Sequence, residues 1–180
     1  VESAEDAFLV IAGRGPYLKD LKKLVKELKV KNVKFTGYVP SSLLPAIYKA
    51  CDIFVSASDT ETQGIVFLEA MACGLPIVAV KKGGVKDIIV DGKNGLLANP
   101  NDPIDFAIKV VKLLNNEKLL KRIRKQNLLT VKKYDVKESS KRLLKLYKTL
   151  IKATRKKRQR KFFTRFWKFL SVVDSLRKKY

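Results

Sequence analysis

Short apolar runs of strand type recur through the first part of the chain with helical patterns between them, and this alternation narrows the fold more than any other feature. The runs are Phe8 to Ala12, Val33 to Val39, Asp52 to Ala57, Leu75 to Val80 and Leu96 to Ala98. Between them lie helical stretches at about Tyr17 to Lys29, Leu43 to Ala50, Gly64 to Cys73 and Val85 to Val90. The first of these puts Leu18, Leu21, Leu24, Val25 and Leu28 on one face and lysines on the other. Strand and helix in strict succession require βαβ crossovers and a parallel sheet. The predicted class is therefore α/β, a Rossmann-like parallel sheet with helices on both faces.

Three C-terminal helices follow, at about Pro103 to Leu114, Glu117 to Lys132 and Val136 to Ala153. Phe8 to Ala12 is continuously apolar and is expected to be covered on both faces. Ser41 or Ser42 is the expected N-cap of the helix that follows Pro40. The chain opens on Val1 within a helical stretch, Val1 to Ala4, and reads as a C-terminal piece of a longer protein. Two regions are expected: an N-terminally incomplete nucleotide-binding domain with a crossover helix at 1–153, and a basic amphipathic tail at 154–180.

In open parallel sheets, ligands bind outside the carboxyl ends of the strands, where loops lead into helix N-termini. Residues 58–63 form such a loop, between the third strand and the helix that starts at Gly64. The first N–H groups of that helix, near Gly64, Ile65 and Val66, lack intrahelical acceptors and suit a phosphate or sugar oxygen. Two carboxylates bracket this end, Glu61 in the loop and Glu69 in the helix. The helical neighbours of Glu69 are Ile65, Val66, Ala72 and Cys73, all apolar, so mere solvation of this carboxylate is not expected. The structural alternative is that Glu61 caps the loop and Glu69 reaches water past small neighbours.

Glu61, seven residues, Glu69, then Ala-Met-Ala-Cys-Gly-Leu-Pro at 70–76, with Gly64-Ile65-Val66 between, resembles the donor-binding motif of family 4 retaining glycosyltransferases. The resemblance covers about residues 6 to 150 and implies the C-terminal half of a GT-B fold. It implies a hexose transferred from a nucleotide-diphosphate sugar, such as a UDP- or GDP-hexose, to an acceptor hydroxyl with retention. Glu61 is then the catalytic-site residue that contacts donor-sugar hydroxyls, and Glu69 holds the ribose hydroxyls. The backbone at Gln63, Gly64, Ile65 and Val66 lines the sugar and diphosphate.

The resemblance also places the Gly13 and Gly15 turn against the diphosphate and the backbone of Tyr38 and Val39 against the base. A plain tight turn, and core and rim roles for Phe35 and Tyr38, are the alternatives. No cofactor or metal is expected, in keeping with the absence of an Asp-x-Asp triplet. A paired glycine turn at Gly83-Gly84 matches the family, whereas Asp87 stands where the family usually has Glu, so a helix-start charge interaction is the reading for Asp87. The family's diphosphate-binding Arg and Lys precede this chain, and an N-terminal Rossmann domain is the expected missing partner. Alone, the chain should bind donor weakly and transfer nothing.

There is no His, which removes the commonest general base. Cys51 and Cys73 have no metal-like spacing and are read as small buried residues in a reducing compartment. The net charge of +22 favours anionic partners. Residues 151–180 alone carry 12 Lys/Arg against one acid, a net +11. There, 155–161 is a basic cluster, and Phe162, Phe163, Phe166, Trp167, Phe169, Leu170, Val173 and Leu176 share one broad helical face.

Aromatics on one side and basic residues on the other make an interfacial membrane segment. The expectation is a cytoplasmic, peripherally membrane-associated enzyme whose acceptor is a lipid or glycan and whose tail meets an anionic membrane surface. Packing of the tail on protein is the alternative; nucleic acid is disfavoured because the aromatics cluster on a helix. A non-catalytic nucleotide-binding module and a membrane or nucleic-acid adaptor are the competing functions.

Overall fold

The computed structural model describes residues 6–177, with side chains through 155 and again at 164–168. The expected helix at Val1 to Ala4 lies outside the described residues. The strands are β1 (Leu9–Ala12), β2 (Val33–Gly37), β3 (Phe54–Ser56), β4 (Ile77–Val80) and β5 (Leu96–Ala98). The helices are α1 (Leu18–Glu27), α2 (Leu44–Lys49), α3 (Ile65–Ala72), α4 (Val85–Ile88), α5 (Pro103–Leu114), α6 (Glu117–Val131) and α7 (Val136–Arg177). Compactness divides the chain into residues 1–132 and 133–180.

All strand pairings are parallel, as the βαβ rhythm requires. The sheet comes in two pieces, however: β1 with β2, and β3-β4-β5 in that order. In the second piece, alternation of side chains builds two cores. Ile77, Ala79 and Leu97 face one way, against Phe67, Ala70 and Met71 of α3 and Val85 and Ile88 of α4. Val78 and Leu96 face the other way, against Leu113 of α5 and Ile123 of α6. Helices thus cover both faces, and all four residues of β4 are buried. Asn127 of α6 is wholly buried and donates to the Leu75 carbonyl at 2.7 Å, tying α6 to the entry of β4.

The first piece differs from expectation. β1 is only partly covered, and no residue from 6 to 63 is fully buried. Leu24, central to the apolar face of α1, is 48% exposed. Among the described residues β1 has one strand neighbour, so its apolar run is not enclosed from both sides. Neither Ser41 nor Ser42 caps α2: Leu43 occupies the N-cap, Pro45 sits in the first turn, and a Leu43 N–H to Pro40 carbonyl bond of 2.9 Å leads the chain in. The proline's fixed φ makes that start without a hydroxyl cap. Cys51 and Cys73 are free and half-buried rather than enclosed.

In the C-terminal unit, α7 continues where the sequence pattern divides a helix ending near Ala153 from a tail helix; it is one helix of 42 residues. Leu143, Leu144, Tyr147 and Leu150 are each about half exposed, and so is Phe166, while Trp167 is more so. The rest of the expected apolar face, Phe162, Phe163 and 169–176, falls outside the described side chains. Among the described residues no helix is long and apolar enough to cross a membrane.

Candidate functional site

The loop after β3 and the turn after β4 lie side by side, because β3 and β4 are adjacent parallel strands and both segments leave their carboxyl ends. The contact between them is backbone to backbone. The Gly84 N–H donates to the Glu61 carbonyl at 3.1 Å. A Cβ on Gly83 would stand 2.7 Å from the Glu61 carbonyl oxygen, and one on Gly84 2.6 Å from that of Thr62. Only glycines permit this approach. Beside them, Lys82 Nζ meets Asp59 Oδ2 at 2.8 Å, and that ammonium, through its hydrogen bond and then its charge, holds the Asp59 carboxyl below its ordinary range.

Glu61 turns its side chain toward the start of α3. Its Oε1 accepts from the backbone N–H groups of Gly64 at 2.8 Å and Gln63 at 3.2 Å. A carboxylate here complements the positive end of the helix dipole. Gly64, the N-cap, has φ +64°, and a side chain there would run into the Ile88 side chain, so glycine is required for both reasons. The next N–H groups, of Ile65 and Val66, begin the helix without intrahelical acceptors. Both side chains are exposed, Ile65 by 55%.

Glu69 is exposed, and it is engaged by the protein rather than by solvent alone. Ile65 and Val66 line solvent rather than core. One group from another element holds it: the Tyr48 hydroxyl, at the end of α2, donates to Glu69 Oε2 at 3.1 Å. Burial first, and then the charge and hydrogen bond of Glu69, push the Tyr48 phenol up to about 12, so it stays a neutral donor at physiological pH. The Tyr48 ring meets Phe54 edge-on at 5.8 Å, and Phe54 meets Phe67 likewise at 5.9 Å. Tyr48 escaped the sequence reading because its partner is 21 residues away; the signal was an aromatic hydroxyl on an inward helix face, which needs a polar partner.

Gly13, Gly15, Tyr38 and Val39 form a second group at the carboxyl ends of β1 and β2. The Gly13 N–H donates to the Gly37 carbonyl at 2.8 Å, joining the two turns. Cβ atoms on Gly13 and Gly15 would meet nothing within 4 Å, so that turn is open to a ligand. Tyr38 is 67% exposed and Val39 half-buried. Phe35 is half-buried, with Lys22 Nζ 5.7 Å from its ring centre. Asp87 lies in the first turn of α4, where its charge suits the helix start. The structure thus unites Glu61, Gln63 and Gly64 with Gly83-Gly84, pairs Glu69 with Tyr48, and gathers the β1 and β2 turns separately on the other sheet piece.

A family model described as glycosyl transferases group 1 matches residues 1–130. The chain is 38% identical over 138 residues to the sulfoquinovosyl transferase SQD2 of Arabidopsis thaliana, covering 75% of this chain and 26% of that protein. It is 32% identical over 162 residues to the alpha-monoglucosyldiacylglycerol synthase of Acholeplasma laidlawii, covering 89% of this chain and 40% of that protein. Among solved structures, HepE of Anabaena in complex with UDP and glucose superposes with a TM-score of 0.72 at 25% identity, over 79% of this chain and 40% of that one. The chain spans less than half the length of each of these proteins.

Proposed function

The chain belongs to the glycosyl transferases group 1 family, and from that membership we propose that it is the donor-binding part of a retaining, family 4 glycosyltransferase. In this reading a hexose passes from a nucleotide-diphosphate sugar to an acceptor hydroxyl, and a second Rossmann domain completes the enzyme. The observation that carries it is the Glu61 loop seated on Gly83-Gly84 at the start of α3. Glu61 meets the sugar hydroxyls, Glu69 the ribose hydroxyls, and the backbone at Gln63, Gly64, Ile65 and Val66 the sugar and diphosphate. The turns at Gly13 and Gly15 and at Tyr38 and Val39 serve the diphosphate and the base. No metal is required, since helix N–H groups and basic residues offset the phosphate charge; transfer by the full-length enzyme is expected to survive EDTA.

Calorimetric titration of the chain, wild type and Glu69→Ala, with a panel of nucleotide sugars at fixed salt tests the reading. One nucleotide class should bind, and Glu69→Ala should abolish it. Equal weak binding of all polyanions, unchanged by the substitution and removed by salt, would mean that only the +22 charge is being measured.

A membrane lipid or lipid-linked glycan is the proposed acceptor class, with residues 155–180 resting on an anionic membrane at the cytoplasmic face. The support is the basic cluster and aromatic face of that segment, with Phe166 and Trp167 exposed, and the diacylglycerol in the name of a relative. Sedimentation with anionic liposomes should show binding that disappears on deleting 155–180; binding that persists without the segment refutes this placement.

A further inference from the structure

Glu69 sits on an exposed helix face, and a long exposed carboxylate ordinarily samples several rotamers. We propose that Tyr48 is a positioning residue for the donor nucleotide: its hydroxyl fixes the Glu69 carboxylate so that the other oxygen accepts from the vicinal ribose hydroxyls. This rests on the donor-site reading above and adds to it the element that orients the carboxylate.

Three observations support it. The Tyr48 O–H donates to Oε2 at 3.1 Å, which leaves Oε1 to a ligand. The phenol is itself fixed, since its ring stands edge-on to Phe54 at 5.8 Å and Phe54 edge-on to Phe67 at 5.9 Å, the last being 0% exposed. Orientation therefore runs from the core through three aromatic rings to one carboxylate. The two helices also touch at a second point, where Cys73 Sγ lies 4.0 Å from the Pro45 carbonyl, so α2 and α3 keep their spacing. A hydrogen-bonded carboxylate recognises a vicinal diol better when it does not have to be ordered on binding. Burial and the neighbouring Glu69 raise the phenol pKa rather than lower it, so the hydroxyl remains the neutral donor that an ordinary phenol is near pH 7.

The test is calorimetry with UDP and GDP and with their 2′,3′-dideoxy counterparts on the 180-residue chain as wild type, Tyr48→Phe, Glu69→Ala and the double variant. Phenylalanine keeps the ring and removes only the hydroxyl, and circular dichroism checks that each variant is folded. Tyr48→Phe should weaken the preferred ribonucleotide by about five- to tenfold, the scale of the net contribution of one ordinary hydrogen bond. That loss should vanish with the dideoxy nucleotide and in the Glu69→Ala background, the signature of action through Glu69. If Glu69→Ala weakens binding but Tyr48→Phe does not, or if Tyr48→Phe weakens both nucleotides equally in both backgrounds, the proposal is overturned while the donor site stands. If neither UDP nor GDP binds, or Glu69→Ala changes nothing, the donor-site reading falls and this inference with it.

Discussion

Replacing Gly84 by alanine separates the geometry of the Glu61 loop from the stability of the fold. Gly84 has φ −68° and ψ −6°, a conformation alanine adopts freely, so backbone strain is not the issue. The added Cβ would stand 2.6 Å from the Thr62 carbonyl oxygen and 3.2 Å from its carbon, against ordinary contacts that begin at 3.4 Å. One side must therefore yield by roughly 0.8 Å, the difference between 3.4 and 2.6 Å. The turn has no room to recoil, because Val85 beside it is 0% exposed and Ile88 one turn on is packed in the same core. The loop carrying Glu61 moves instead.

Overpacking costs about 1–3 kcal/mol. Reduced freedom of the unfolded chain returns about 0.4–1 kcal/mol. The net loss of stability, about 0–2.6 kcal/mol, leaves the domain folded. If Glu61 contacts the donor sugar as proposed, displacement on this scale takes that contact out of hydrogen-bond reach. Gly84→Ala should weaken nucleotide-sugar binding roughly tenfold or more, the scale of losing one hydrogen bond to a charged group, by calorimetry, with a cooperative melt retained in circular dichroism. Wild-type binding with an unchanged melt would refute the claim that the glycine pair sets the loop.

Gly15→Ala adds a methyl where nothing lies within 4 Å, so urea unfolding should change by less than about 0.5 kcal/mol, while donor affinity should fall if this turn faces the diphosphate. Unchanged affinity would leave only the tight turn. Asp102→Ala removes the side-chain oxygen that caps α5 through the Asp105 N–H at 2.8 Å, and chemical denaturation should register a loss of about 1 kcal/mol. Because the folded pKa of Tyr48, about 12, lies above its unfolded value of about 10, its contribution to stability is complete below pH ~10 and is lost as pH rises toward 12. The stability gap between wild type and Tyr48→Phe should close over that interval and stay flat from pH 7 to 9. Glu61→Gln keeps a carbonyl oxygen for the Gly64 and Gln63 N–H groups but turns the other oxygen into a donor. Stability should hold while donor binding falls, and equal donor binding would mean that Glu61 only caps the loop.

The elements were legible because their signals are local. Short strand-type runs of three to seven residues marked β1 to β5, and three-and-four spacing marked α1 and α5. Burial was less legible, since it depends on what lies across from a residue. The same continuous apolar pattern is fully buried in β4, which has a strand on each side, and partly exposed in β1, which has one among the described residues. Glu69 shows the same limit: its apolar neighbours on the helix argue against mere solvation, but only the fold shows that Ile65 and Val66 lie on the open side of α3 and that Tyr48 is the partner. The Gly83-Gly84 pair was visible as a turn, but its role was not. The backbone it admits belongs to residues more than twenty positions earlier, and no local pattern encodes that contact.

Capping and ligand recognition are often weighed as rival roles for a glutamate beside a helix start, but a carboxylate has two oxygens and about four acceptor sites. Glu61 engages Oε1 with two backbone N–H groups, and Glu69 engages Oε2 with one phenol. In each case the protein holds one oxygen and thereby orients the other. A side chain fixed this way loses less freedom when a hydroxyl arrives, so the internal bonds favour recognition rather than compete with it. The two holders differ in kind. Glu61 is fixed by backbone within its own loop, so its position follows the Gly83-Gly84 contact, whereas Glu69 is fixed by a side chain on another helix, so its position follows the packing of α2. On the proposed donor-site reading, the sugar end and the ribose end can consequently be perturbed independently, by Gly84→Ala for the first and Tyr48→Phe for the second.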